Sequence, residues 1–220
     1  TLMGVSLIYV AVAAGIVADW PVVVLTRREL AAYFYSPVAY LVILGQVIFA
    51  LVMFWLFFVP ELRGDPLRGR PGGVMEPIII SYIVSIIPVF VMMFFVPAIT
   101  MRLMSEEKRS GTLEVMMTAP VNEVSLVTGK FIAGWLFYML LWLPWWVFLV
   151  SLRYYGNEEF DYRPIFSFMI AQTAISAGFV SMGLFFSSLT TNQVIAAVFT
   201  FVGMMAHLVL YFAQGHEWFA

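Results

Sequence analysis

Apolar residues in this chain run on for twenty positions or more, and the polar residues collect between the runs. Residues 38–59, 77–101, 124–152, 164–189 and 194–213 form five such runs. A helix of ~20 apolar residues crosses the ~30 Å hydrocarbon layer and satisfies every backbone amide within itself. A sixth run, 2–18, is uncharged and barely long enough, and it ends at Asp19, Trp20 and Pro21. The pattern predicts an all-α fold, a polytopic transmembrane helical bundle of five spans plus one N-terminal span. The whole of 1–220 reads as a single transmembrane domain, with 1–26 as an extra apolar segment. With Thr1 first, the chain is expected to be a piece of something longer or a processed product. No basic residues precede the 2–18 run, as they would in a signal peptide.

The connections differ in character. Residues 60–76 hold three prolines and four glycines, which predicts an irregular loop. Residues 153–163 are charged and include Tyr154, Tyr155 and Tyr162, residues suited to a membrane-interface belt. Residues 187–193 are uncharged, polar and short enough for a tight helical hairpin.

One connection predicts structure of its own. Ser105 is a candidate helix cap, followed by Glu106 and Glu107 at the positive helix end and then by Lys108 and Arg109. Ser110 and Gly111 break that helix. Beyond them Leu113, Met116 and Met117 fall at i, i+3 and i+4, an apolar stripe from which Thr112 and Glu114 face away. Ala119 and Pro120 end the segment, and Asn122 caps the next span with Glu123 in its first turn.

Composition sharpens the membrane reading. Hydrophobic residues make up 63% of the chain and charged ones 11%, too few to cover a soluble surface. The net charge of -2 gives no electrostatic reason to expect nucleic acid, so none is expected as a partner. With no cysteine, disulfides and thiolate metal sites are excluded. Eight charged side chains fall within 102–130. An Asp, Lys or Arg at mid-bilayer costs ~2.5–3.5 kcal/mol on insertion scales, so this stretch is expected in water. Lys and Arg counts hardly orient the chain. Arg27, Arg28, Arg102, Lys108, Arg109 and Lys130 would lie on one side, against Arg63, Arg68, Arg70, Arg153 and Arg163 on the other.

The segment MRLMSEEKRSGTLEVMMTAPV, followed by GKF at 129–131, resembles the signature of ABC-2 type transporter permease subunits, particularly the gliding-motility-type branch. RRELAAYFYSPVAYL at 27–41 is similar to the family's amphipathic interfacial segment, which here contributes Arg27, Arg28 and Glu29. VPAITMRL at 96–103 resembles the exit of its second span, and GLFFSSLTTNQ at 183–193 its turn between the fourth and fifth spans. The 2–18 run precedes the family's usual start, either as the end of a fused permease unit or as an added anchor. The usual last span is missing, so the domain is expected to be incomplete at its C-terminus.

The resemblance implies a permease subunit of a multi-pass inner (plasma) membrane transporter, most readily an exporter, that works with a second permease chain in a homo- or heterodimer and is surrounded by lipid. A separate ABC ATPase subunit would dock on 105–123. Its coupling helix would comprise Glu106, Glu107, Lys108, Arg109, Ser110, Gly111, Thr112, Leu113, Glu114, Met116, Met117 and Pro120. ATP and Mg would be bound by that partner, with no cofactor on this chain, because no G-x-x-x-x-G-K-[ST] occurs and the Gly129-Lys130 pair lacks its context. The chain is accordingly not expected to be an enzyme. The same resemblance puts 105–123 and 187–193 in the cytoplasm, with 60–76 and 153–163 outside.

Other polar residues in the runs admit two readings. Lys130 either snorkels to the interface from the start of its span or serves an ion site. Gln46, Gln172 and His207 either line a pathway or hydrogen-bond between helices. Pro88, Pro97 and Pro144 would kink their spans. Two other functions fit the same residues: a permease-like subunit doing signalling or mechanical work without cargo, and an intramembrane serine hydrolase using Ser181 and His207.

Overall fold

The computed structural model describes residues 18–58, 86–114, 122–148 and 163–214, and the described chain is all helical outside its turns. In order these are α1 (Pro21–Tyr35), α2 (Pro37–Met53, extended by a π-helical turn at Phe54–Phe58), α3 (Ile86–Thr100), α4 (Ser105–Ser110), α5 (Glu123–Leu141), α6 (Arg163–Leu189) and α7 (Gln193–Gln214). Prolines open α1 and α2, where a missing N–H costs nothing. Between them Ser36 is extended at φ -92°, ψ 129°, which breaks the helix and turns the chain from α1 into α2. The Asn122 side chain caps α5 by accepting from Val124 N at 3.1 Å, as its sequence predicts. Asn192 does the same for α7, accepting from Val194 N at 2.9 Å.

Four helices among the described residues are long and apolar enough to cross a membrane: Pro37–Leu56, Glu123–Phe148, Ile165–Leu189 and Gln193–Leu210. The expectation of five spans plus one N-terminal span is thereby corrected. The run counted from residue 77 is helical over only 15 described residues, Ile86–Thr100. Those 15 residues are fewer than the ~20 that a span needs, and residues 77–85 of the run lie outside the described residues. Residues 2–17 of the N-terminal run lie outside the described residues, and Ala18 is not helical.

The helix from Glu123 pauses at Trp142, whose N–H bonds Met139 O at 3.1 Å, and resumes to Phe148. Pro144, two residues on, has no N–H for the carbonyl four residues back, which accounts for the pause. Pro97 sits inside α3, while Pro88 lies in the same helix among residues whose side chains are not described.

α1 lies most extensively against α5, α6 and α7 form an antiparallel hairpin, and α3 packs on α5, α6 and α7. The buried face of α5 consists of Leu126, Gly129, Lys130, Ala133, Gly134, Phe137, Tyr138 and Leu141, an i, i+3, i+4, i+7 stripe that contains one charge. Gly129 lets α1 approach, since a Cβ there would stand 2.8 Å from Leu25 Cβ. Gly183 does the same for α3, because a Cβ would run into the Thr100 side chain. Small residues at helix crossings supply the close packing that holds bundles together in lipid. Leu41, Leu44, Ile48, Ile170 and Val202 point outward, where a hydrocarbon solvent would receive them.

Candidate functional site: a charged junction at one end of the bundle

The start of α5, the middle of α1 and α4 meet around one ammonium group. Thr26, Glu29, Leu30 and Tyr33 share a face of α1 at i, i+3, i+4 and i+7. Thr26 anchors that face, its hydroxyl donating to Val22 O at 2.8 Å and to Gly129 O of α5 at 3.3 Å. One turn on, Lys130 is 1% exposed. Its Nζ donates to Glu107 Oε1 at 2.6 Å and stands 3.1 Å from Glu29 Oε2. Both carboxylates are 14% exposed, and Glu29 also accepts from Arg28 Nη2 at 2.7 Å. Burying a charge is costly unless it is paired, and the two glutamates supply that pairing from two different elements. Lys130 therefore does not snorkel to water. It joins α1 and α4 to a membrane span.

α3 leads into this junction by a sharp turn. The Tyr33 hydroxyl donates to Ile99 O at 3.0 Å, and its ring stacks on Phe137 with centroids 4.7 Å apart. Burial pushes that hydroxyl well above the usual tyrosine range, against the lowering effect of the Arg102 charge, so it stays protonated as a donor. Arg102 lies over the same ring at 5.4 Å and donates to Ser36 Oγ at 2.7 Å.

α4 then begins one residue earlier than the sequence suggests: Met104 occupies the cap position, and Ser105 is buried with its hydroxyl turned back on Met101 O. The cap comes from elsewhere. Ser187 Oγ, in the last turn of α6, accepts from Met104 N and Ser105 N, each at 3.1 Å, and donates to Met101 O at 3.0 Å. Lys108 Nζ donates to Ser188 O. The 105–114 segment and the α6–α7 turn thus lie at the same end of the bundle.

Gly111 ends α4 in the left-handed region at φ 72°, the break predicted at Ser110 and Gly111. A new helical turn follows at 112–114. Ser110 Oγ and Thr112 Oγ1 bond across the break at 2.8 Å, Leu113 packs against the core, and Glu114 is exposed. Glu106, Lys108 and Arg109 are exposed on α4, as are Arg27 and Arg28 on α1. Met116, Met117 and Pro120 lie outside the described residues, so the predicted stripe is described only at Leu113.

The pathway candidates sit apart from the junction. Gln46 is buried on α2, and Gln172 is buried on α6 against the Tyr138 hydroxyl. His207 meets the Phe179 ring edge to face at 5.9 Å. Ser181 donates to Gly178 O at 2.8 Å, and among the described residues no hydrogen bond joins it to His207. Nor do three metal-ligating side chains cluster among them.

Sequence reasoning missed Ser187 as a cap and Lys130 as the centre of the junction. For Lys130 a signal was present: it shares the heptad-like stripe of Leu126, Ala133 and Phe137, a face that had to be buried. Ser187 carried no local signal, because it acts on residues more than eighty positions away.

No curated protein and no solved structure matches this chain. Residues 75–216 match the family model described as ABC-2 family transporter protein. That stretch holds α3, α4, α5, α6 and α7, and with them two of the three partners in the buried ion-pair cluster. The chain belongs to the ABC-2 family of transporter proteins.

Proposed function

We propose that this chain is the membrane-spanning half of an ATP-driven exporter, acting beside a second permease chain, with an ABC ATPase subunit docked on 105–123 at the cytoplasmic face of the inner membrane. The observation that carries the reading is the Glu29–Lys130–Glu107 cluster. It ties α4 to a buried position on α5, so that a force applied to α4 from outside the membrane is delivered to a span and to α1 together. ATP and Mg stay with the partner, whose cycle of opening and closing supplies the work. The motif around Glu106, Glu107 and Gly111–Glu114 also supports placing the chain in the gliding-motility-type branch. The gap between α4 and the turn at 112–114 suits a docking element, with exposed Glu106, Lys108, Arg109 and Glu114 forming a charged rim around Leu113.

Leu113→Asp tests this. A carboxylate placed in a desolvated contact costs several kcal/mol unless it is paired. Because Leu113 also packs against this chain's own core, melting temperature is read alongside; the variant is expected to insert and accumulate, yet to lose co-purification of a co-expressed ABC ATPase partner or to lose substrate-dependent ATP hydrolysis. Leu67→Asp, in the Gly/Pro-rich segment, serves as the matched control and is expected to assemble. Full assembly and coupled hydrolysis in Leu113→Asp would refute docking at this segment.

A further inference from the structure

We propose that the cavity at the junction, lined in part by the paired Arg28, Glu29, Glu107 and Lys130, is a headgroup site for a zwitterionic phospholipid bearing a primary ammonium. The cavity encloses about 560 Å³, a size that suits a small-molecule site. Tyr35 and Ser36 line it from the bend between α1 and α2, Arg102 from the exit of α3, and Glu106 from the first turn of α4. All of these positions are where the chain passes between an apolar helix and a charged segment, which is the depth of lipid headgroups. Tyr35 is 89% exposed there, an aromatic ring of the kind that settles at the interface.

The charges in this cavity are arranged for a ligand carrying both signs. Arg102 is half-buried and fixed by neutral groups, the Ser36 hydroxyl and the Tyr33 ring, and it makes no ion pair among the described residues. A guanidinium held in this way presents its remaining N–H groups as a fork that matches a phosphate. Glu106 is likewise without an ion pair among the described residues, although it lines the same cavity. Lys130 cannot neutralise Glu106, because Glu29 and Glu107 already hold it. Arg102, in the turn after α3, and Glu106, in the first turn of α4, line the cavity together, and no ion pair closes between them among the described residues.

A lone phosphate would meet Arg102 but face the carboxylates. A quaternary ammonium has no N–H to give Glu106. A phosphoethanolamine group satisfies both ends, with its phosphate on Arg102 and its ammonium on Glu106. Glu106 also stands in the charged rim proposed for docking, so the test is run on the chain without an ATPase, where lipid retention does not depend on docking.

The test uses the full chain in nanodiscs made from equal parts phosphatidylethanolamine, phosphatidylcholine and phosphatidylglycerol, with retained lipid read by native mass spectrometry. Phosphatidylethanolamine is expected to be enriched about tenfold over phosphatidylcholine, the order expected for charge-assisted hydrogen bonds. Stepwise N-methylation of the headgroup is expected to remove that enrichment progressively. Arg102→Gln and Glu106→Gln are each expected to bring it close to one, and the exposed Glu106 makes the second variant independent of folding. Equal retention of the three lipids, or enrichment untouched by both substitutions, would overturn the proposal. Displacement of the lipid by soluble glycerophosphoethanolamine at equal concentration would assign the same chemistry to a soluble ligand and overturn the lipid assignment.

Discussion

Replacing Lys130 with Met separates the two readings of this residue most sharply. The side chains are similar in length, so packing against Leu126 and Ala133 is kept while the ammonium is lost. In the intact cluster Lys130 serves two carboxylates, one of which, Glu29, also pairs with the half-exposed Arg28. In Lys130→Met the Glu107 carboxylate, only 14% exposed, loses its cation, and Glu29 keeps only its pair with the half-exposed Arg28. Breaking a buried ion pair by removing one partner costs ~3–5 kcal/mol. For a chain of this size each kcal/mol corresponds to about 2–4 °C in melting temperature, so a loss of roughly 10 °C is expected. Glu107→Gln leaves a hydrogen-bond acceptor and a one-to-one Lys130–Glu29 pair, and its cost is expected to stay within ~1 kcal/mol. The double change Glu29→Gln with Glu107→Gln strands a buried ammonium and is expected to be as damaging as Lys130→Met. Thermal unfolding of the purified protein, followed by size-exclusion fluorescence, measures all three. A shift under about 2 °C for Lys130→Met is what a solvated surface lysine would give, and it would refute the buried junction.

Gly129→Ala places a Cβ against Leu25 and is expected to cost ~1–3 kcal/mol by forcing α1 off α5, seen as a lower melting temperature. Ser187→Ala removes the acceptor for two amides at the start of α4, and hydrogen exchange there is expected to quicken by about tenfold, with exchange elsewhere in α5 unchanged. Single cysteines at Ser110 and Gly69 are expected to react with an impermeant maleimide from opposite sides of the membrane. Labelling of Ser110→Cys from outside intact cells would reverse the proposed orientation.

The parts of this fold that were legible in the sequence are those set by neighbours along the chain. Uninterrupted apolar runs mark the four membrane-length helices, because hydrocarbon exposure must be matched residue by residue. Asn122 begins a helix and Gly111 ends one for reasons contained in three or four residues, and both act as read. Ser105 looks like a cap in isolation, but it lies inside the first turn of α4 with its hydroxyl on Met101 O, and a serine of α6 accepts from the amides of Met104 and Ser105. The junction itself was legible only in pieces. Glu29, Glu107 and Lys130 each lie in a segment whose motif was noticed, but nothing local states that the three carry complementary charges to one point. That convergence depends on Gly129 admitting α1 to α5 and on the turn after α3 folding α4 back over them.

In the proposed coupling these charges transmit movement between α4 and the spans, and exchanging their places separates transmission from mere packing. Lys130→Glu alone puts three carboxylates together, and Glu107→Lys alone puts two ammonium groups against one carboxylate. The double exchange restores one cation between two anions with the places of Lys130 and Glu107 reversed. Substrate-dependent ATP hydrolysis by the reconstituted complex with its ATPase is the measurement. The account predicts that either single change abolishes coupling and that the double exchange recovers a substantial part of it, a non-additivity expected only of groups in direct contact. Coupling that survives the single changes, or a double exchange no better than the worse of them, would contradict it.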